Sequence, residues 1–393
     1  MASNPGEVFL AFAKLGLASF GGPVAHIGYF RREFVERRRW LDDREFGRLL
    51  ALSQFLPGPA SSQLGFSIGL LRAGAAGALA AFVAFTLPSA LLMLAFATIL
   101  PTMQGAYGQA AIHGLKLVAV AVVAQGVIAM ARQLCPDLPR VAIALMAAAL
   151  VLASGLPWMQ LVVVAGGALA GLIACRAVQP LTGSAVAPPH GMRAGALLLA
   201  LFGMLLLGLP FMAKAAGGAF AIAEAFYRSG ALVFGGGHVV LPLLRDAVVT
   251  PGWVSSDDFI AGYGAAQAVP GPMFSFASYL GARLFDGRGG AGGSLLALVS
   301  IFLPGLLLVA GALPFWHSLS RRPSAARAVA GVNAAVVGLL AAALYDPVWK
   351  SAITAPEDVA IAAVGLALLM VWRASALWVV AWCVVATLSR VLL

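Results

Sequence analysis

Charge is what this chain has least of. Only 10% of its 393 residues are Asp, Glu, Lys or Arg, while 61% are hydrophobic. Soluble domains carry about a quarter charged residues, so an ordinary soluble globule is excluded and a polytopic membrane protein remains. Acid is scarcer than base, with 15 Asp and Glu against 25 Lys and Arg. In a soluble protein the +10 excess would point to nucleic acid. Here it is mostly arginine between apolar runs, where it sets topology, and no nucleic-acid partner is expected. Cys135, Cys175 and Cys383 stand far apart, which supports neither a disulfide framework nor a metal site. No Gly-rich loop ends in Lys-Ser or Lys-Thr, so ATP is not bound in that way. The first apolar segment, from near Val8, lacks a basic stretch before it and a small-residue cleavage site after it. No cleaved signal peptide is expected.

What is present in its place is proline and glycine inside apolar runs. Gln54-Phe55-Leu56-Pro57-Gly58-Pro59 interrupts one such run and Gln267-Ala268-Val269-Pro270-Gly271-Pro272 another. Proline removes a backbone donor and clashes with the preceding turn. A helix entering at Phe46 must therefore break at Pro57, and another can start at Pro59 or Ala60. Backbone groups freed by a break are tolerated in a bilayer only where protein buries them or a watery cavity bathes them. Two breaks at matching places in two halves point to a transporter's binding site.

The matching extends well beyond the breaks. Phe12-Ala13-Lys14-Leu15-Gly16, Ser19-Phe20-Gly21-Gly22-Pro23 and His26 answer to Phe226-Tyr227-Arg228-Ser229-Gly230 and Val233-Phe234-Gly235-Gly236-Gly237-His238. Trp40-Leu41-Asp42-Asp43 answers to Trp253-Val254-Ser255-Ser256, Leu87-Pro88 to Leu303-Pro304, and Leu100-Pro101 to Leu313-Pro314. Position 57 to position 270 is 213 residues, just over half the chain. The sequence is a duplication. Residues 1–176 form the first repeat, 177–213 a linker with a connecting transmembrane helix, and 214–393 the second repeat, with Gln179–Gly191 as the polar linker.

Charge then orients the repeats. The first connector holds Arg31, Arg32, Arg37, Arg38, Arg39, Arg44 and Arg48, and its counterpart from Arg245 to Asp258 has one Arg against three Asp. Later the bias reverses: 101–112 has no charge, while Ser318 to Arg327 contains Arg321, Arg322 and Arg327. The positive-inside rule makes the two repeats upside down relative to each other. The expected fold is all-α and polytopic, two inverted-topology repeats with broken re-entrant helices. It has nine crossings, four broken hairpins and an outside C-terminus. The segments 141–154 and 359–372 are short for a span of about 20 residues. If either fails to cross, the Phe-Gly-Gly helices span instead of re-entering.

A broken helix presents a new N-terminus, whose free N–H groups and dipole favour anions. Four arise here, after Phe20-Gly21-Gly22, Pro57-Gly58-Pro59, Phe234-Gly235-Gly236 and Pro270-Gly271-Pro272. Ser61, Ser62 and Gln63 follow one, and Ser275 and Ser278 another, all suited to oxyanion oxygens. Lys14 and Arg228 lie inside apolar segments at equivalent positions, where a cation is a functional hypothesis by default; snorkelling to a headgroup is the alternative. His26 and His238 either contact substrate or tie down broken backbone, and Gln54 and Gln267 satisfy carbonyls. Lys116 matches Asn333 in the repeat, as a core polar pair or a pocket wall. Trp378 and Trp382 read as interface anchors. Carboxylates are scarce in these regions, which argues against a cation or proton carrier. The candidate substrate ligands are Lys14, Gly21, Gly22, His26, Gly58, Ser61, Ser62, Gln63, Arg228, Gly235, Gly236, His238, Gly271 and Ser275. No metal, cofactor or catalytic residue is expected. A membrane hydrolase using Ser61 or Ser62 with His26 lacks the Gly-x-Ser-x-Gly context, and an anion channel is a further alternative.

The stretch from Phe20-Gly21-Gly22-Pro23 and His26 through Trp40-Leu41 to Pro57-Gly58-Pro59 with Ser61, Ser62 and Gln63 resembles the chromate ion transporter family. So does Phe234-Gly235-Gly236-Gly237-His238-Val239-Val240-Leu241-Pro242, with Pro270-Gly271-Pro272 and Tyr279-Leu280-Gly281. The resemblance covers nearly the whole chain and fits the long, duplicated members. It implies a multi-pass protein of the bacterial inner membrane that exports chromate and confers chromate resistance. Sulfate is implied as a related anion, and a general sulfate or oxyanion transporter is the alternative. The expected partners are chromate or sulfate and the lipid bilayer, with a homodimer left open.

Overall fold

The computed structural model describes residues 4–20, 22–154, 156, 159–178, 190–234 and 237–392. The described residues form helices and turns with no strand. In the first half α1 (Pro5–Ala18) is followed by α2 (Gly22–Arg31) with a wide π turn over Arg32–Arg37. Then come α3 (Asp43–Phe55), α4 (Ala60–Ile99), α5 (Ala106–Leu134), α6 (Leu138–Ser154) and α7 (Met159–Ala174). A connecting helix α8 (Met192–Ala216) leads to α9 (Gly218–Ala231), α10 (Val240–Leu244), α11 (Ser256–Ala266), α12 (Phe276–Gly287) and α13 (Gly290–Ala312). The chain closes with α14 (Trp316–Ser320), α15 (Pro323–Ala343), α16 (Lys350–Ala352), α17 (Pro356–Met370) and α18 (Ala376–Leu392). Element starts recur at the sequence spacing: position 5 to 218 is 213 residues, and so are 43 to 256 and 100 to 313. The linker Gln179–Gly191 lies largely outside the described residues.

Local signals set the ends of α3 and the start of α4. Asp42 caps α3 by accepting from the Glu45 amide at 2.7 Å, and Glu45 accepts from the Asp42 amide at 3.1 Å. This capping box satisfies two of the free donors of the first turn. α3 stops at Phe55, before Pro57, and α4 starts at Ala60. Among the described residues five stretches are long and apolar enough to cross a membrane: Ala60–Thr102, Ala106–Leu134, Met192–Ala216, Gly290–Phe315 and Pro323–Ala352.

The first of these is not one straight rod. Ala73 and Gly74 leave helical geometry, Gly74 with φ 62. A methyl group built on Gly69 would strike the Gly77 carbonyl and the Ala81 side chain. Residues eight apart lie about 12 Å apart along a straight helix, so 60–72 folds back on the arm after Gly74. Gly281 and Gly293 make the same close approach between α12 and α13.

The broken helices also fold back, because their feet lie together. The Arg72 guanidinium, at the end of one arm, stacks on the Trp40 ring just before α3 at 4.9 Å. Glu7, near the start of α1, reaches Arg72 at 3.2 Å and Arg38, just past the π turn, at 3.7 Å. Arg38 and Arg37 also hold Glu33, at 2.6 and 3.1 Å. Burial pushes the Glu33 carboxyl up, but the two guanidiniums outweigh it and leave it below its ordinary value. In the second half Arg283 of α12 holds Asp258 of α11 at 2.6 Å, and the Phe285 amide donates to the Trp253 carbonyl at 2.8 Å. Both Pro-Gly-Pro loops are thus tips of hairpins. An aromatic cluster fills the first: Phe12 stacks on Phe34 at 4.7 Å, and Phe30 meets Phe85 edge-on at 5.1 Å. α1 packs along α4 and α9 along α13.

Candidate functional site

The tips of the two halves are stitched to each other. The Gly58 amide donates to the Val233 carbonyl at 2.7 Å, and the Gly271 amide donates to the Ser19 carbonyl at 2.9 Å. Val233 and Ser19 are the residues just before Phe234 and Phe20. Each Pro-Gly-Pro tip therefore closes on the Phe-Gly-Gly break of the other half. Gly58 has φ 127 and Gly271 φ 98, conformations that favour glycine. A side chain at 271 would also strike the Ser89 hydroxyl.

Polar side chains reinforce the stitching. His26, fully buried, places Nε2 3.2 Å from the Ser19 carbonyl and Nδ1 3.4 Å from the Ser61 hydroxyl. Both ring nitrogens are thus spent on the broken backbone and its neighbour, and among the described residues no carboxylate orients the ring as in a hydrolytic triad. Gln63 donates to the Pro57 carbonyl at 2.9 Å and to the Gly305 carbonyl at 3.0 Å, tying the first tip to α13. His238 Nδ1 lies 2.8 Å from the Tyr263 hydroxyl, and its ring packs over Gly126 of α5. Around these tips the hydroxyls of Ser19, Ser62 and Thr86 and the Gln63 carbonyl oxygen are buried with no hydrogen-bond partner among the described residues. Such orphans are costly to desolvate.

A cavity of about 210 Å³ opens beside the stitched tips. Gly22, Gln125, His238, Gln267, Gly271, Arg373 and Ser375 line it, and among the described residues no acidic one does. α2 begins at Gly22 and α18 at Ala376, and the turn Met273–Ser275 leads into α12; Gly22, Met273 and Ala376 are all in the wall. Three chain segments therefore start helices at one cavity, each bringing a positive dipole end, although the Ser275 amide before α12 is already spent on the Pro272 carbonyl. Arg373 adds a full charge. It is exposed, lies in the connector between α17 and α18, and holds a left-handed conformation with φ 52. Non-glycine residues in that region cost about 1–3 kcal/mol and cluster at functional sites. Hydrogen-bond donors and one guanidinium around uncharged walls suit an anion.

The sequence candidates divide accordingly. Gly22, His238 and Gly271 reach the cavity. His26, Gly58, Ser61, Ser62 and Gln63 form the tip network behind it, and Ser275 is buried at the approach to α12. Gly21, Gly235 and Gly236 lie outside the described residues. Lys14 and Arg228 are not among the residues that line the cavity. Lys14 is exposed on the stripe of α1 that carries Leu10 and Leu17, 71% and 63% exposed. Arg228 is held by Glu224 at 2.6 Å, one helical turn away. Lys116 pairs with Asp257 at 2.7 Å, and the Ser278 hydroxyl serves helix packing through the Ala90 carbonyl and Ser294. Trp378 is 68% exposed, while Trp382 donates to the Ile361 carbonyl. Sequence reasoning missed Gln125, Arg373 and Ser375, which tertiary crossing alone brings to the tips.

The family model described as chromate transporter matches this chain twice, over residues 6–172 and 220–388. The chain belongs to the chromate transporter family. The double match makes it a duplicated member, with one copy of the family unit in each half. It is 28% identical over 387 residues to a chromate transport protein of Pseudomonas aeruginosa, covering 93% of this chain and 87% of that one. It is likewise 28% identical over 380 residues to a chromate transport protein of Cupriavidus metallidurans, covering 93% and 88%. An uncharacterized transporter of Bacillus subtilis is 35% identical over 88 residues, 22% of this chain and 45% of that one. No solved structure matches.

Proposed function

We propose that this family member is a secondary transporter that carries chromate out across the bacterial inner membrane and so confers chromate resistance. Sulfate, another tetrahedral divalent oxyanion, is the related substrate. The observation that carries the reading is the cavity at the stitched tips, where three helix starts and Arg373 converge with no carboxylate in the wall. Such a wall replaces part of a dianion's hydration with fixed N–H donors. The relatives named as chromate transport proteins support chromate as the substrate. Energetics favour export without ATP: two negative charges leaving a cell that is negative inside gain about 4–5 kcal/mol per 100 mV.

The test is flux into proteoliposomes of the purified chain. Saturable chromate uptake, competed by sulfate and absent in empty liposomes, is the expected outcome. Flux that never saturates would make the protein a channel. Sulfate flux without chromate flux would make it a general oxyanion transporter, and no flux of either anion would end the reading.

A further inference from the structure

Positions 33 and 246 are equivalent, 213 residues apart, and both carry a carboxylate in a π turn after the broken hairpin arm: Glu33 in Arg32–Arg37 and Asp246 in Arg245–Val249. Their surroundings differ. Glu33 is neutralised by Arg38 and Arg37. Asp246 has no Lys, Arg or His at ion-pair distance among the described residues, although cations are close by. Arg245 turns to Asp346 at 2.8 Å, which Lys350 also holds at 2.8 Å. Arg228, on α9, is taken by Glu224.

The partner Asp246 does have is neutral. Gln160 of α7 donates its amide to Asp246 Oδ2 at 2.5 Å and to the Pro242 carbonyl at 3.0 Å. The carbonyl oxygen of the same amide is buried with no hydrogen-bond partner among the described residues. Gln160 itself is 6% exposed. A half-buried carboxylate held by one neutral amide, with no cation at ion-pair distance among the described residues, has only partial compensation for its charge. A proton supplies the rest, and the protonated acid is itself a hydrogen-bond donor.

We propose that Asp246 is a proton-binding site that couples anion movement to the proton gradient. The inference rests on the transport reading above. The carboxylate takes up one proton to become the acid and later returns it to water; no other bond changes. The site is placed to be felt at the cavity. Asp246 follows His238 on the same hairpin arm, and its partner Gln160 belongs to the first half. Gaining or losing the proton changes a hydrogen bond that clamps one half to the other.

The experiment has two readouts on the full chain reconstituted in liposomes. The first is an infrared difference titration without substrate. Wild type should show a carboxylic acid carbonyl band that appears as pH falls. Asp246→Asn should lose that band. Gln160→Leu should move it to higher pH, because the lost donor favoured the carboxylate. The second readout is chromate flux under an imposed pH gradient. Wild type should respond on one limb by about tenfold per pH unit. Asp246→Asn should follow only the anion gradient and voltage, and Asp246→Glu should keep the coupling. A band unchanged in Asp246→Asn overturns the proposal. So does a flux that depends on sodium instead of pH and loses that dependence in Asp246→Asn. If the titration behaves as expected but wild type moves no oxyanion, the site stands as a proton site and the transport reading fails.

Discussion

Gly58 and Gly271 hold conformations that a side chain does not share comfortably, at two of the points where the halves are bonded together. Forcing alanine into positive φ costs about 1–2 kcal/mol, and the added carbon would also displace Gln63 or Ser89. Gly58→Ala and Gly271→Ala should each lower the melting temperature of the detergent-purified protein and abolish chromate flux while insertion persists. Normal flux in both would mean that the tips are not part of the pathway. Arg373 makes a different demand. Losing one charge-assisted contact removes roughly 1.5–3 kcal/mol, or about one to two decades of affinity. Arg373→Gln should weaken chromate binding by that factor in calorimetry, Arg373→Lys should retain part of it, and Lys14→Gln should change it little. Equal losses at 14 and 373 would return Lys14 to the site. The sequence marked the glycines because proline and glycine inside an apolar run have few other uses. It could not mark Arg373, which sits where one apolar run ends and the next begins. Nor did the apolar setting of Lys14 reveal which way that face of α1 points, although Leu10 and Leu17 on the same stripe carried the hint.

At the scale of elements, the hairpins depend on glycine for close approach rather than for backbone freedom. Gly69 and Gly77 let 60–72 lie directly on the arm that follows Gly74. Gly69→Leu should force the arms apart, and the expected result is loss of the monodisperse peak on size exclusion. Gly47 of α3 has nothing within reach of an added methyl, so Gly47→Ala should be tolerated and can gain up to about 1 kcal/mol in helix propensity. A destabilised Gly47→Ala with an unaffected Gly69→Leu would contradict this packing. The break at Pro57 was legible because a proline acts on its own neighbours in sequence, whereas the cap at Asp42 was not singled out. The fold-back at Ala73 and Gly74 has no proline and interrupts no polar pattern.

For the whole molecule, the duplication appears in the spacing of the helices and in the double family match. The opposite orientation of the halves rests on charge, and labelling tests it. Cysteines introduced at Arg37 and at Asp257, in a background where partly exposed Cys135 is replaced by serine, should react with an impermeant reagent from opposite faces of the membrane. Reaction from one face would end the inverted arrangement. The reciprocal tip contacts predict in addition that residues 1–189 and 190–393, expressed as separate chains in one cell, should reassemble. Either chain alone should yield no chromate flux.

Those two hydrogen bonds also set a timetable for biosynthesis. When the first Pro-Gly-Pro tip leaves the ribosome, the carbonyl that will receive the Gly58 amide does not yet exist; Val233 is still to be translated. Until then an unpaired backbone donor sits at membrane depth, where leaving it bare costs several kcal/mol. The N-terminal half must wait for its sibling, wetted by water or held by the insertion machinery. It becomes a finished structure only when the nascent chain has come round a second time.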